Sequence, residues 1–110
     1  MPIQAVEKQI LERFRDLLQK RKRLPRHQII MFGSRARGDA EPYSDLDIMV
    51  IIEGVVDEAV REWGSDCAWE AGYAQGVVIV PVVFSRTEWE QGPERHSLLA
   101  RAVALEGIPL

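Results

Sequence analysis

The stretch Phe32-Gly33-Ser34-Arg35-Ala36-Arg37-Gly38, followed after five residues by Ser44-Asp45-Leu46-Asp47-Ile48-Met49-Val50-Ile51-Ile52, decides how this chain is read. Gln28 to Phe32 is a short apolar run stopped by glycine, the pattern of a buried strand. Asp45 to Ile52 reads as a second strand, stopped by Glu53-Gly54, and the segment between the two is polar. Side chains alternate along a strand, so Asp45 and Asp47 share one face while Leu46 and Ile48 point to the other. Two carboxylates side by side repel unless one is protonated or a cation neutralises them. Such oxygen ligands suit magnesium, which is commonly held by one or two carboxylates with phosphate oxygens and water. Spacing alone does not choose between that and two acids solvated at a strand entrance. Gly33 permits close approach of backbone to a ligand, and a helical turn opening at Ser34 would turn its amides toward an anion. Arg35 and Arg37 add guanidinium groups matched to phosphate oxygens. Taken by itself, Gly-Ser is an ordinary turn.

Upstream, Val6, Ile10, Phe14, Leu17 and Leu18 recur at helical spacing, which predicts an amphipathic helix over residues 4–23. Its basic end, Lys20-Arg21-Lys22-Arg23 before Leu24-Pro25, reads as a solvated helix terminus rather than a nucleic-acid patch. Downstream, residues 56–74 are expected to be helical, with Gly64 and Gly72 as weak points. Val77 to Phe84 is a third strand, and Pro81 suggests an edge or a bulge. Ser85 can cap the short turn holding Glu88 and Trp89. Residues 94–106 resume helical character, with Pro93 near the start and Gly107 past the end. This order predicts an α/β (α+β) protein, a small mixed sheet with helices packed on it.

A chain of 110 residues suits a single domain over residues 1–110. Its 46% apolar and 28% charged residues balance as in ordered globular proteins, which argues against extensive disorder. A net charge of −3 gives no general pull toward nucleic acid or acidic membranes. Cys67 is the single cysteine, so no intrachain disulfide or four-cysteine metal site can form. No apolar run approaches the roughly 18 residues of a membrane span. The amino-terminal residues lack the pattern of a secretory signal, and a cytoplasmic protein is the simplest expectation.

Gly33-Ser34, ten intervening residues and Asp45-Leu46-Asp47 entering an apolar strand together resemble the signature of the DNA polymerase beta-like nucleotidyltransferase superfamily. The fuller string from Phe32 to Gly38, with Ser44 before the aspartates, is similar to its minimal branch. The resemblance covers roughly residues 28–53 and implies the nucleotidyltransferase fold. It also implies that Gly33 and Ser34 grip the triphosphate of ATP or another nucleoside triphosphate, with Arg35 and Arg37 as further phosphate contacts. Asp45 and Asp47 would be the catalytic metal ligands for Mg2+, two ions in an active enzyme. The implied reaction is attack of an acceptor hydroxyl on the α-phosphate, releasing pyrophosphate.

Active relatives add a third carboxylate from a later strand, and Val77 to Phe84 holds no acid. Glu70, Glu88 and Glu90 flank that strand and read as exposed charges. A missing general base typically lowers a rate on the order of 100- to 10,000-fold. The minimal branch is often paired with a small helical HEPN-type protein, in some pairs as an antitoxin, and modification of that partner with AMP is one mechanism. Two functions therefore stand: a nucleotidyltransferase moving AMP from ATP to a hydroxyl acceptor, or a nucleotide-binding antitoxin-like module neutralising a partner by contact. A second copy of the chain, as a homo-oligomer, could supply what one short domain lacks. Trp63, Trp69 and Trp89 are assigned to internal packing, Cys67 to an apolar filler, and His27 and His96 to the surface.

Overall fold

A computed structural model describes residues 4–20 and 26–110. The basic residues 21–23 and Leu24-Pro25 lie outside the described residues. Helix α1 is Ala5–Gln19, and it buries Ile10, Leu11, Phe14, Leu17 and Leu18 along one stripe. Strand β1 is His27–Phe32, and the short turn α2, Ser34–Arg37, follows directly. Strand β2 is Leu46–Ile52, helix α3 is Glu58–Tyr73 and strand β3 is Ile79–Ser85. Helix α4, Arg86–Gln91, a 3-10 turn over Pro93–His96, helix α5, Leu98–Glu106, and the two-residue strand β4, Ile108–Pro109, complete the chain.

The four strands form one mixed sheet in the order β3-β2-β1-β4. Strand β2 runs antiparallel to β1 and parallel to β3, with α3 as the crossover. Strand β2, continuously apolar from Ile48 to Ile52, therefore lies centrally, where both faces are covered and both edges are hydrogen-bonded. Leu46, Ile48, Val50 and Ile52 join the core beneath α1 and α3. Met49 and Ile51, on the other face with Asp47, are also buried. Pro81 sits on the edge strand β3, as expected, where the missing N–H removes no ladder bond required by a central strand.

Several local expectations change. Gly64 and Gly72 do not weaken α3, because both serve close packing: Gly64 faces Val83 and a Cβ on Gly72 would strike the Val77 carbonyl. Asp57 caps that helix by accepting from Val60 N at 2.9 Å. The helix expected over 94–106 is split at Ser97, whose hydroxyl donates to Glu94 O at 2.7 Å and accepts from Ala100 N at 3.1 Å. Those local bonds close one turn and start the next. Ser85 caps α4 as expected, paired reciprocally with Glu88. Trp63 is half-buried and donates to Leu18 O at 3.2 Å, and Trp89 packs against Phe84 with the rings tilted. Trp69 is a correction: it is 69% exposed, beside Tyr73, because it lies on the flank of α3 next to the edge strand β3, with Val78 and Pro81 nearby, and not over the core. His96 is exposed, while His27 is half-buried where β1 pairs with Ile52.

Candidate functional site

Strand β1 ends against the start of β2, with Phe32 opposite Asp47. The next residue, Gly33, turns the chain with φ +81°. A Cβ built on Gly33 would overlap Asp47 Oδ2 and stand 3.1 Å from its Cγ. Glycine is needed here twice, for the backbone angle and for the space the carboxylate occupies. The Gly33 carbonyl accepts from Ala36 N and Arg37 N at 3.0 Å each, and the Ser34 carbonyl accepts from Gly38 N and Asp39 N at 3.0 and 3.1 Å. The turn thus closes tightly, with half-exposed Ser34 at its head and Gly38, φ +83°, ending it.

Asp45 is exposed just before β2, and Asp47 is half-buried on its second residue. Loss of solvent raises the Asp47 carboxyl above the ordinary aspartate range, the negative charge of Asp45 raises it further, and Arg37 opposes the shift. Two carboxylates that repel at a partly dry strand entrance form a hard-oxygen pair suited to a divalent cation completed by water and phosphate. The residues present fit magnesium in that limited sense. Among the described residues, no cluster of three or more His, Cys, Asp or Glu is arranged to hold a metal ion.

The two arginines part company. Arg35 turns inward, its side chain only 6% exposed, and donates to Glu7 Oε2 at 3.2 Å, Ser44 O at 3.0 Å and Pro42 O at 3.0 Å. The expected phosphate contact is therefore corrected to a strut joining α1, α2 and the loop before Asp45, because its fork is already occupied inside the protein. Glu7, at the other end of the strut, also accepts from Gln4 N at 3.2 Å and so closes the start of α1. Arg37 stays outside. It donates through Nε to Asp39 at 3.2 Å and through Nη1 to Glu106 Oε2 at 2.8 Å.

Glu106 was not legible as a site residue from sequence. It lies 69 positions beyond Arg37 and comes near only because β4 pairs with β1. A glutamate before glycine at a helix end gives no signal of its own. The three acids that flank β3 in sequence stand elsewhere: Glu70 pairs with Arg13, Glu88 with Arg61 and Glu90 with Arg86. On the β3 side, the residue in register with Asp47 is Val80. Cys67 is buried and its thiol is pushed up to about 11 by burial, in keeping with an apolar filler.

The sequence model of the nucleotidyltransferase domain matches residues 7–103. No curated protein matches the chain. Among solved structures, a toxin-antitoxin complex with AMP-PNP is similar at 22% identity and TM-score 0.59, over 93% of this chain and 69% of that one. A mutant of the toxin-antitoxin pair MntA-HpeT is similar at 24% identity and TM-score 0.60, over 97% and 72%. A complex of tri-AMPylated Shewanella oneidensis HEPN toxin with MNT antitoxin is similar at 18% identity and TM-score 0.55, over 96% and 71%. At these identities the likeness establishes the fold, and the fold is the one that Gly33-Ser34 and Asp45-Leu46-Asp47 led us to expect. With most of its length matched, the chain belongs to the nucleotidyltransferase domain family.

Proposed function

We propose that this domain transfers AMP from ATP to a hydroxyl acceptor on a partner protein. The observation that supports the proposal is the close approach of Gly33 to the Asp47 carboxylate, which would set a turn gripping phosphate beside carboxylates holding a cation. In this reading Gly33 and Ser34 hold the triphosphate, Asp45 and Asp47 are the magnesium ligands, and Arg37 stands beside them as a phosphate contact. Arg35 positions the loop rather than the nucleotide. Magnesium, when bound, would screen the triphosphate and stabilise the attacking and leaving oxygens. The acceptor oxygen bonds to the α-phosphorus, the bond to the β-phosphate side breaks, and pyrophosphate leaves. The hydroxyl proton passes to water or to a base brought by the acceptor, since Phe32 and Val80 flank Asp47 in register. Similar complexes holding AMP-PNP or an AMPylated HEPN toxin support ATP as donor and a small HEPN-type protein as partner. A cytoplasmic setting accords with that use.

One observation favours a second reading, a nucleotide-binding module that neutralises its partner by contact. Strand β3 offers Val80 where a third carboxylate would complete the pair, so turnover would be slow. The two are separated by incubating the protein with α-labelled ATP, magnesium and lysate of the native host, beside Asp47→Asn. Label in a discrete protein band with wild type alone is the expected result. Absence of label, with magnesium-dependent ATP binding intact, would replace the transferase reading by the binding module.

A further inference from the structure

Away from the Gly33 turn, exposed apolar side chains gather along one flank of α3 and the edge strand β3. Trp69 and Tyr73 are 69% and 73% exposed, with ring centroids 5.8 Å apart, and Val78 is 56% exposed. With Ser65, Ile79 and Pro81 they line a groove of about 460 Å³. Contiguous apolar surface rimmed by polar residues marks an interaction site, whereas single exposed apolar residues do not. The apolar band continues past the groove. Val80 is 38% exposed and pairs in register with Asp47, on the same face of the sheet. Leu46 N donates to Val78 O at 2.9 Å, so the band begins at the end of the sheet where Asp45 and Asp47 stand.

Charge and backbone together define what fits there. On α3 the groove is bordered by the row Ser65, Trp69 and Tyr73. Glu62, Asp66 and Glu70 form a second exposed row, each three residues before a member of the first and therefore beside it. No lysine, arginine or histidine occurs between Glu62 and Ser85. Glu70 meets Arg13 at 3.6 Å in an exposed pair, which leaves the border acidic. A second copy of the chain would bring an identical acidic row to the groove, whereas a partner carrying cations is attracted to it. The backbone narrows the choice further. With Val78 O turned toward β2, alternation along the edge strand turns the backbone groups of Ile79, Pro81 and Val83 outward. Pro81 has no N–H, so an added strand would lack its central donor. Strand addition is thus disfavoured, and side-chain packing remains, the mode by which an amphipathic helix lies in an apolar groove.

We propose that the groove between α3 and β3 docks an amphipathic helix of a partner protein. Its apolar side chains lie against Trp69, Tyr73, Val78 and Pro81, and its lysines or arginines against Glu62, Asp66 and Glu70. Through Val80 the docked chain stands beside Asp47. That it is also the AMP acceptor rests on the transferase reading above.

The test displays a library of helical peptides that share one leucine stripe and vary at the flanking positions among lysine, serine and glutamate. Selection is on the full chain without ATP or magnesium, so its result does not depend on catalysis. Trp69→Ser/Tyr73→Ser and Glu62→Lys/Asp66→Lys are selected in parallel, with thermal melts to confirm folding. On wild type, lysine-flanked helices are expected to be enriched about tenfold over glutamate-flanked ones, and the serine variant to lose that enrichment. The lysine variant should invert the preference. Enrichment that ignores flank charge, survives the serine variant or does not arise would overturn the proposal. So would a dimer in sedimentation equilibrium that the serine variant dissolves, since the groove would then hold a second copy. The acceptor role has its own readout, host lysate labelled with α-labelled ATP and magnesium. A band labelled by wild type and not by the serine variant, at equal ATP affinity, places the acceptor in the groove; equal labelling removes it from there. Lysate left unlabelled by wild type takes the acceptor role down with the transferase reading, while the docking face stands or falls by the selection.

Discussion

Gly33 concentrates the requirements of the site in one residue. A side chain there meets an unfavourable positive φ and the Asp47 carboxylate at once. Strain of the first kind alone amounts to roughly 1–3 kcal/mol for a non-glycine residue. Gly33→Ala is therefore expected to lower the melting temperature by several degrees and to displace Asp47, abolishing magnesium-dependent ATP binding. Calorimetry and a nucleotide titration on the same sample check both halves. An alanine variant that melts and binds as wild type does would mean the turn and Asp47 are not packed as described. The importance of Gly33 was legible in sequence as permission for close approach, but the group it makes room for was not.

At the scale of elements, the loop carrying the approach to Asp45 is held by one buried ion pair. Arg35 joins Glu7 of α1 to the carbonyls of Pro42 and Ser44, so three segments share a single guanidinium. Removing one partner of such a pair leaves a buried charge uncompensated and typically costs 3–5 kcal/mol. Arg35→Met should destabilise by about that amount in a urea titration, and adding Glu7→Gln should recover part of it by removing the stranded charge. A single variant as stable as wild type would show that the strut carries no load. Sequence reasoning placed Arg35 with Arg37 because both follow Gly33-Ser34. Their opposite fates depend on which side of a four-residue turn each occupies, and on the distant Glu7, neither of which local spacing reveals. The same holds for α3, where Gly64 and Gly72 read as weaknesses by propensity and act as contact points against β3 and the turn before it.

The whole molecule carries a stability cost at its site. The folded state holds a proton on Asp47 more readily than the unfolded chain, chiefly because the carboxyl is desolvated and next because Asp45 is near. Folding through that pH range therefore takes up protons, and stability falls as pH rises from the ordinary aspartate value near 3.8 through the raised one. Asp47→Asn removes the ionisation. In metal-free buffer at pH 7 it should melt higher than wild type, with the gap closing as pH drops below about 3.8. Added magnesium should reverse the order by stabilising wild type alone. Melts across pH, with and without the ion, read this directly. A variant that melts lower than wild type at pH 7 without metal would remove the electrostatic penalty from the account.

Periodicity and punctuation determined which segments become strands and helices, because alternation, helical repeat, proline and glycine act within a few residues of one another. The resemblance of Gly33-Ser34 and Asp45-Leu46-Asp47 to the nucleotidyltransferase signature, and not periodicity, marked those residues as one constellation. Only the tertiary structure decided the strand order, the inward turn of Arg35, the exposure of Trp69 and the arrival of Glu106 beside Arg37. Each of these depends on burial or pairing between segments far apart in the chain, and a contact of that kind leaves no period for a sequence to display.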